Sequence, residues 1–294
     1  MEGQFIKYLR AEKRCSEHTI KAYRTDLAIF FAYACPDKSC TDEWPYAEIN
    51  TQVIRGWASS MMESGISSRS VNRKISSLSS YFKYLMKKGL LSENPAANVP
   101  KQKVNKTLPK FVDQNKLICF METEEYESER DSIMLEMLYC TGIRSAELIN
   151  LKTEDINFGR ETIKVLGKGN KERFVPMLPI LADKLRVYIE CRNRRFSNLE
   201  NDFLFLTSKG EQLYAKHLYL TVKKQLTAAG FTGKRSPHVM RHTFATHVLN
   251  AGADLNHIKE MLGHANLAAT QVYTHNTFEK LKKVHGLAHP RAEL

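Results

Sequence analysis

Residues 161–177 read ETIKVLGKGNKERFVPM. β-Branched and aromatic residues alternate along 161–166 and again along 173–177. Between them lies Gly-Lys-Gly-Asn-Lys, with the glycines that a tight reversal uses. The segment reads as a β-hairpin, and the sequence on either side of it reads as helix. Upstream, helices are predicted around 113–125 and 131–140. Downstream they are predicted over 179–196, 216–229, 237–251, 255–262 and 267–273. Their ends carry recognisable signals: Ser236-Pro237 is a cap followed by a first-position proline, Gly252 is a stop, and Asp254 and Asn266 are caps. The fold class is therefore mainly α with a small β-sheet, an α+β arrangement confined to a domain spanning 111–294.

The first 91 residues form a different pattern. Ile20, Tyr23, Leu27 and Phe30 recur at helical spacing, as do Val53, Trp57 and Met61. The longest stripe is Val71, Ile75, Leu78, Phe82 and Leu85, stopped by Lys87-Lys88-Gly89. With the opening segment from Phe5 this predicts a small bundle of about four helices. Arg69, Arg73, Ser76, Ser80 and Lys83 line the opposite face of the longest stripe, flanked by Asn72 and Lys74. Short hydroxyls and long cations on one helix suit phosphate contacts, with Arg69, Asn72 and Arg73 the leading candidates; a solvated face has the same composition. Residues 92–110, with Pro95, Pro100, Pro109 and four lysines, read as an extended linker.

The chain carries 44 Lys and Arg against 32 Asp and Glu, a net charge of +12. Both domains share the excess, so a polyanion could be gripped from two sides, although solubilising surface charge gives the same sum. No apolar run is long enough to span a bilayer, and the start MEGQFIKYLRAEKR lacks the features of a secretory signal, so a cytoplasmic protein is expected. The six cysteines are scattered without metal-ligand spacing and read as free thiols.

Candidate chemistry concentrates in the second domain. Arg144 lies in TGIRSAEL (141–148), where a turn at Gly142 opens a helix, and Glu147 follows on the same face, placed to orient it. His238 and Arg241 are an i,i+3 pair beginning the helix opened by Pro237. Lys168 sits at the hairpin tip, His264 follows Leu262-Gly263, and Tyr273 comes nine residues later. Taken singly, each has an ordinary structural reading: an ion pair, a packing tyrosine, a solvated turn lysine. Together they form a kit for phosphoryl transfer without metal or cofactor. Two guanidiniums can clamp non-bridging oxygens. The tyrosine can attack, and His and Lys can handle the protons.

At these residues the chain resembles the tyrosine recombinase, or phage integrase, family. The motifs are TGIRSAEL, GKGNKER, HVMRH, LGHANLAATQVYTH and the closing HPRA, in order across the second domain. In the first domain, SSRSVNRKISSLSSYFKYLMKKG followed by NPA is similar to the SAM-like core-binding domain of the same family. Both halves have the flavour of a bacterial Xer-type site-specific recombinase. The resemblance implies a two-domain, C-shaped clamp. It implies Tyr273 as nucleophile, Arg144 and Arg241 as phosphate clamp, Lys168 as general acid, His238 and His264 as pocket residues, and Lys171 and Arg173 as DNA-backbone contacts. It implies double-stranded DNA with paired sites and a DNA-bound tetramer of self or a related recombinase, with a Holliday-junction intermediate. A DNA translocase is a candidate regulator. Chromosome dimer resolution is the role it suggests; mobile-element integration, a topoisomerase IB-like activity and non-catalytic DNA binding are the alternatives. Phe278, Leu281, Val284 and Leu287 recur at helical spacing and suit a tail helix that docks on a neighbouring protomer, or on its own domain.

If both basic domains contact phosphates, affinity for duplex DNA falls steeply with salt as counterions are released. Titration of a labelled duplex at several salt concentrations measures the slope, and a flat response counts against the two-sided contact.

Overall fold

The computed structural model describes residues 2–36, 46–104, 111–123, 128–167, 171–197, 201–263 and 275–292, without the side chains of 47 and 275–281. The chain divides into two compact units, Met1–Thr107 and Leu108–Leu294.

The first unit holds four helices: α1 (Glu2–Ala11), α2 (Glu17–Ala34), α3 (Thr51–Glu63) and α4 (Ser68–Lys87). Ser16, Asn50 and Ser67 cap α2, α3 and α4 by accepting backbone N–H bonds in the first turn. The predicted α4 stripe is buried throughout, in one core with Phe5, Leu27, Phe30 and Trp57. Among the described residues two charged groups, Asp26 and Lys74, are buried in this unit. Asp26 is buried and accepts from Arg73, from Lys74 Nζ at 3.0 Å and from Ser77 Oγ at 2.8 Å. Burial raises its carboxyl, but the bonds from Arg73, Ser77 and Lys74 outweigh that and hold it below its ordinary value.

The predicted linker is corrected in its first part. Ala96 and Val99 are buried in the helical core, and Thr51 Oγ1 donates to the Pro95 carbonyl at 2.9 Å. Asn72 holds Gln102 from both sides, donating to its carbonyl and accepting from its N–H, each at 2.8 Å. The chain through at least Gln102 therefore packs on the first unit. Ala and Val can be buried without periodicity, so the prolines and lysines of this stretch suggested an extended linker.

The second unit contains α5 (Gln114–Glu122), α6 (Glu129–Thr141), α7 (Ser145–Ile149), β1 (Ile156–Asn157), β2 (Thr162–Leu166), β3 (Glu172–Pro176), α8 (Pro179–Arg195), α9 (Ala215–Ala228), α10 (Pro237–Asn250), α11 (Leu255–Leu262) and α12 (His275–Ala288). The hairpin forms in the predicted register region, Ile163 opposite Val175 and Val165 opposite Arg173. A two-residue strand, β1, adds to its edge and was too short to carry a period. Among the described residues there is no helix long and apolar enough to cross a membrane.

Helix α6 is the axis of this unit. Every residue from Ile133 to Thr141 is buried, and α8, α9 and α10 pack around it. Its buried Glu136 pairs with Lys184 Nζ and Arg291 Nε, both at 2.8 Å. Its last turn leaves carbonyls without helical donors. His285 Nε2 donates to the Cys140 carbonyl at 2.8 Å and His289 Nε2 to that of Tyr139 at 3.2 Å, since a carbonyl can only accept. Helix α12 thus lies against its own domain. The described part of the predicted face is buried only in part. Val284 packs beside Phe244 and Leu262, but His285, Ala288, His289 and Arg291 are the deeply buried side chains, and Leu287 is 72% exposed. The side chains of Phe278 and Leu281 lie outside the described residues.

Burial pushes the His285 imidazole down to about 4, against an ordinary value of 6.5, and His289 well down. A group held below its unfolded pKa adds stability at neutral pH, and that stability is lost as pH falls from about 6.5 toward the folded value. Lowering pH from about 7.5 to about 5 should cost roughly 2 kcal/mol through His285 alone. Urea unfolding at the two pH values measures it; equal midpoints would show that these imidazoles are solvated.

Candidate active site

The site begins at the end of α6. Gly142 closes the helix in the left-handed region at φ +61, and a Cβ there would stand 2.4 Å from the Phe244 ring. The sharp turn delivers Arg144 as the residue before α7. Its backbone N–H and its Nη1 both donate to Glu147, at 2.7 Å each, and its Nη2 donates to the Gly263 carbonyl at 3.1 Å. The Arg144 side chain remains 37% exposed.

Glu147 is the centre of the arrangement. Arg173 straddles its two oxygens at 2.9 and 2.8 Å, opposite the two donations from Arg144. Burial pushes its carboxyl up, but the Arg173 bonds, the Arg144 N–H and the attraction of both guanidiniums bring it down to about 2. It is a fixed anion among cations. Arg241, buried on α10, donates Nη1 to the Gly142 carbonyl and Nη2 to the Leu262 carbonyl, each at 2.7 Å. Burial first, then repulsion from Arg144 and Arg173, lowers its pKa to about 10. Three successive carbonyls at the end of α11 thus accept from three arginines: Met261 from Arg173, Leu262 from Arg241, Gly263 from Arg144.

The structure brings together Arg144, Glu147 and Arg241 from the predicted set, and His238 stands exposed one turn before Arg241 on the same helix. Lys168, His264 and Tyr273 lie outside the described residues. Lys171 is exposed, its carbonyl closing the hairpin loop by accepting from Gly167 N–H at 2.8 Å. Arg69 is exposed on α4.

Three of the predicted DNA contacts are bonded within the protein. Arg173 is buried and bonded at Nε, Nη1 and Nη2 inside the protein, so it cannot reach a DNA phosphate from this position. Arg73 is half-exposed but its guanidinium is committed to Asp26. Asn72 spends both ends of its amide on Gln102. A signal for Arg173 existed: in the β3 alternation it shares the inward face with Val175, while Glu172 and Phe174 face out. Among the described residues no group of three or more His, Cys, Asp or Glu could hold a metal ion.

Residues 110–280 match the phage integrase family, and residues 3–89 match the phage integrase N-terminal SAM-like domain. The tyrosine recombinase XerC of Oceanobacillus iheyensis is 38% identical over 294 residues, covering 98% of this chain and 95% of that protein. The tyrosine recombinase XerD of Listeria innocua is 38% identical over 293 residues, covering 98% of each. The chain belongs to the phage integrase family. It is a site-specific tyrosine recombinase. Its fold is also that of the XerH recombinase solved bound to difH DNA, with TM-score 0.69, 24% identity, and coverage of 98% of this chain and 84% of that one.

For this tyrosine recombinase, Gly263 is a structural requirement twice over. Its φ is +64, and a Cβ would meet the Arg173 guanidinium stem at 3.1 to 3.3 Å. Gly263→Ala should cost about 1–2 kcal/mol from backbone strain alone, read as a lower urea midpoint. An unchanged midpoint would mean that the α11 terminus is free to adopt another turn.

Proposed function

We propose that Arg144 and Arg241 clamp the scissile phosphate while Tyr273 attacks it. The supporting observation is the pair itself: two guanidiniums bonded to adjacent carbonyls, close enough that each repels the other's charge. Such a pair favours an anion, and a phosphodiester offers two non-bridging oxygens. The Tyr273 hydroxyl gives its proton to a pocket histidine as its oxygen bonds to phosphorus, and the 5′ oxygen leaves with its electron pair, taking a proton from Lys168. Charge that builds on the equatorial oxygens is offset by the two arginines. His238 and His264 hydrogen-bond the phosphate and exchange protons, and Glu147 orients Arg144. The 3′-phosphotyrosine keeps the energy of the broken bond, so attack by a 5′ hydroxyl rejoins the strand without ATP.

In this reading the first unit is the core-binding domain and the second the catalytic domain. Arg69 and Lys171 are the DNA contacts retained from the sequence. The protein works in the cytoplasm as a DNA-bound tetramer, of itself or with a related recombinase, passing through a Holliday junction. The names of its XerC and XerD relatives support chromosome dimer resolution; a DNA translocase is the proposed regulator.

Nicked duplexes carrying candidate sites from the source chromosome trap the covalent intermediate, because the short 5′-hydroxyl fragment diffuses away. Wild-type protein should form an adduct stable to denaturant, and Tyr273→Phe should form none. Arg144→Ala should lose adduct formation by at least about a hundredfold while keeping site-specific binding. An adduct in Tyr273→Phe, or equal loss of binding and cleavage in Arg144→Ala, contradicts the mechanism.

A further inference from the structure

Arg173 has no part in the chemistry above, yet it is the most completely bonded cation near it. A carboxylate offers about four lone-pair positions. In Glu147 the four described donors are Arg173 Nη1 and Arg144 Nη1 on Oε1, and Arg173 Nη2 and Arg144 backbone N on Oε2. While Arg173 holds the fork geometry across both oxygens, Arg144 is confined to one side-chain bond with Oε1. Its other terminal nitrogen stays at the Gly263 carbonyl, and more than a third of its side chain faces solvent. Removal of Arg173 frees two acceptor positions on a buried anion. The nearest cation able to fill them is Arg144, which would be drawn inward toward a two-point pairing.

The same side chain fixes the other support of Arg144. Arg173 Nε donates to the Met261 carbonyl at 3.1 Å, and its stem packs so closely on Gly263 that an added Cβ would stand 3.1 Å from it. The carbonyl that receives Arg144 is therefore set in place by Arg173 as well.

We propose that Arg173 is a positioning residue for strand cleavage: acting through Glu147 and the end of α11, it keeps the Arg144 guanidinium turned outward to meet a phosphate. The inference rests on the reading of Arg144 as part of the phosphate clamp. It separates Arg173 from the neighbouring Lys171, which shares its charge and hairpin but faces solvent.

The test uses the full-length protein and the nicked suicide duplex, with adduct rate measured at saturating protein and the dissociation constant measured separately. Arg173→Met should slow adduct formation at least about tenfold and change the dissociation constant by less than about twofold. Arg173→Lys keeps the charge without the fork, and should fall between wild type and Arg173→Met. In a Glu147→Gln background, where the carboxylate is already gone, Arg173→Met should slow the reaction by no more than about a further twofold, because the two residues act as a unit. Leu185→Ala, a core truncation outside the site, controls for lost stability and should leave the rate at saturation near wild type.

Wild-type rate in Arg173→Met, parallel loss of binding and cleavage, or full multiplication of the two effects in the double variant overturns the inference. Should Arg173→Met fail to fold, Arg173→Lys decides, since a rate equal to wild type overturns the fork requirement and a slower rate that vanishes as a difference in the Glu147→Gln background supports it. Absence of any adduct with wild-type protein on its binding site, or an adduct in Tyr273→Phe, overturns the functional reading instead, and the inference falls with it.

Discussion

One buried carboxylate organises the catalytic unit. Glu147 accepts from two arginines that come from different elements, Arg144 before α7 and Arg173 on β3. Taking these charges out of water is costly, and only multiple short hydrogen bonds offset it. The geometry must therefore be met or the fold loses several kcal/mol, and meeting it fixes the distance between the hairpin and the turn after α6. The same arginines reach on to the carbonyls ending α11, so a third element is tied to that carboxylate.

The pattern recurs elsewhere in the chain. Asp26 holds Arg73, Lys74 and Ser77, joining α2 to α4. Glu136 holds Lys184 and Arg291, joining α6 to α8 and to the segment after α12. In each case a fully buried acid recruits two cations. A chain with a net charge of +12 has cations to spare, and this use of them explains why a basic residue in a promising place is not automatically a DNA ligand. Arg173 lies in the interior and the half-exposed Arg73 is paired with Asp26, while Arg69 and Lys171 are exposed.

Carbonyls without helical partners form the second constraint. The end of α6 is closed by Gly142, His285 and His289, and the end of α11 by Arg144, Arg173 and Arg241. Side chains that would otherwise be classed only as catalytic or basic thereby terminate helices. Neutral imidazoles help to hold the tail helix to its domain, which makes that attachment sensitive to acid.

Local pattern settled what local physics controls. Apolar periods specified the helices of the first unit, cap and stop signals marked described helices of the second, and alternation around a Gly-containing turn specified the hairpin, because each of these signals is local to its element. The order of the motifs suggested Arg144, Lys168, His238, Arg241, His264 and Tyr273 as one constellation with Glu147 in support, and of these Arg144, Glu147 and Arg241 lie together among the described residues. The partners of buried charges were decided only in three dimensions. Asp26 and Arg73 are 47 residues apart, Glu147 and Arg173 26, and Arg144 and Gly263 119. No periodicity links such positions, since a charge's interaction depends on what the fold brings within hydrogen-bond reach and on how much water it excludes. That is why Arg173 looked from its sequence like a DNA contact and is in the structure the clasp behind Arg144.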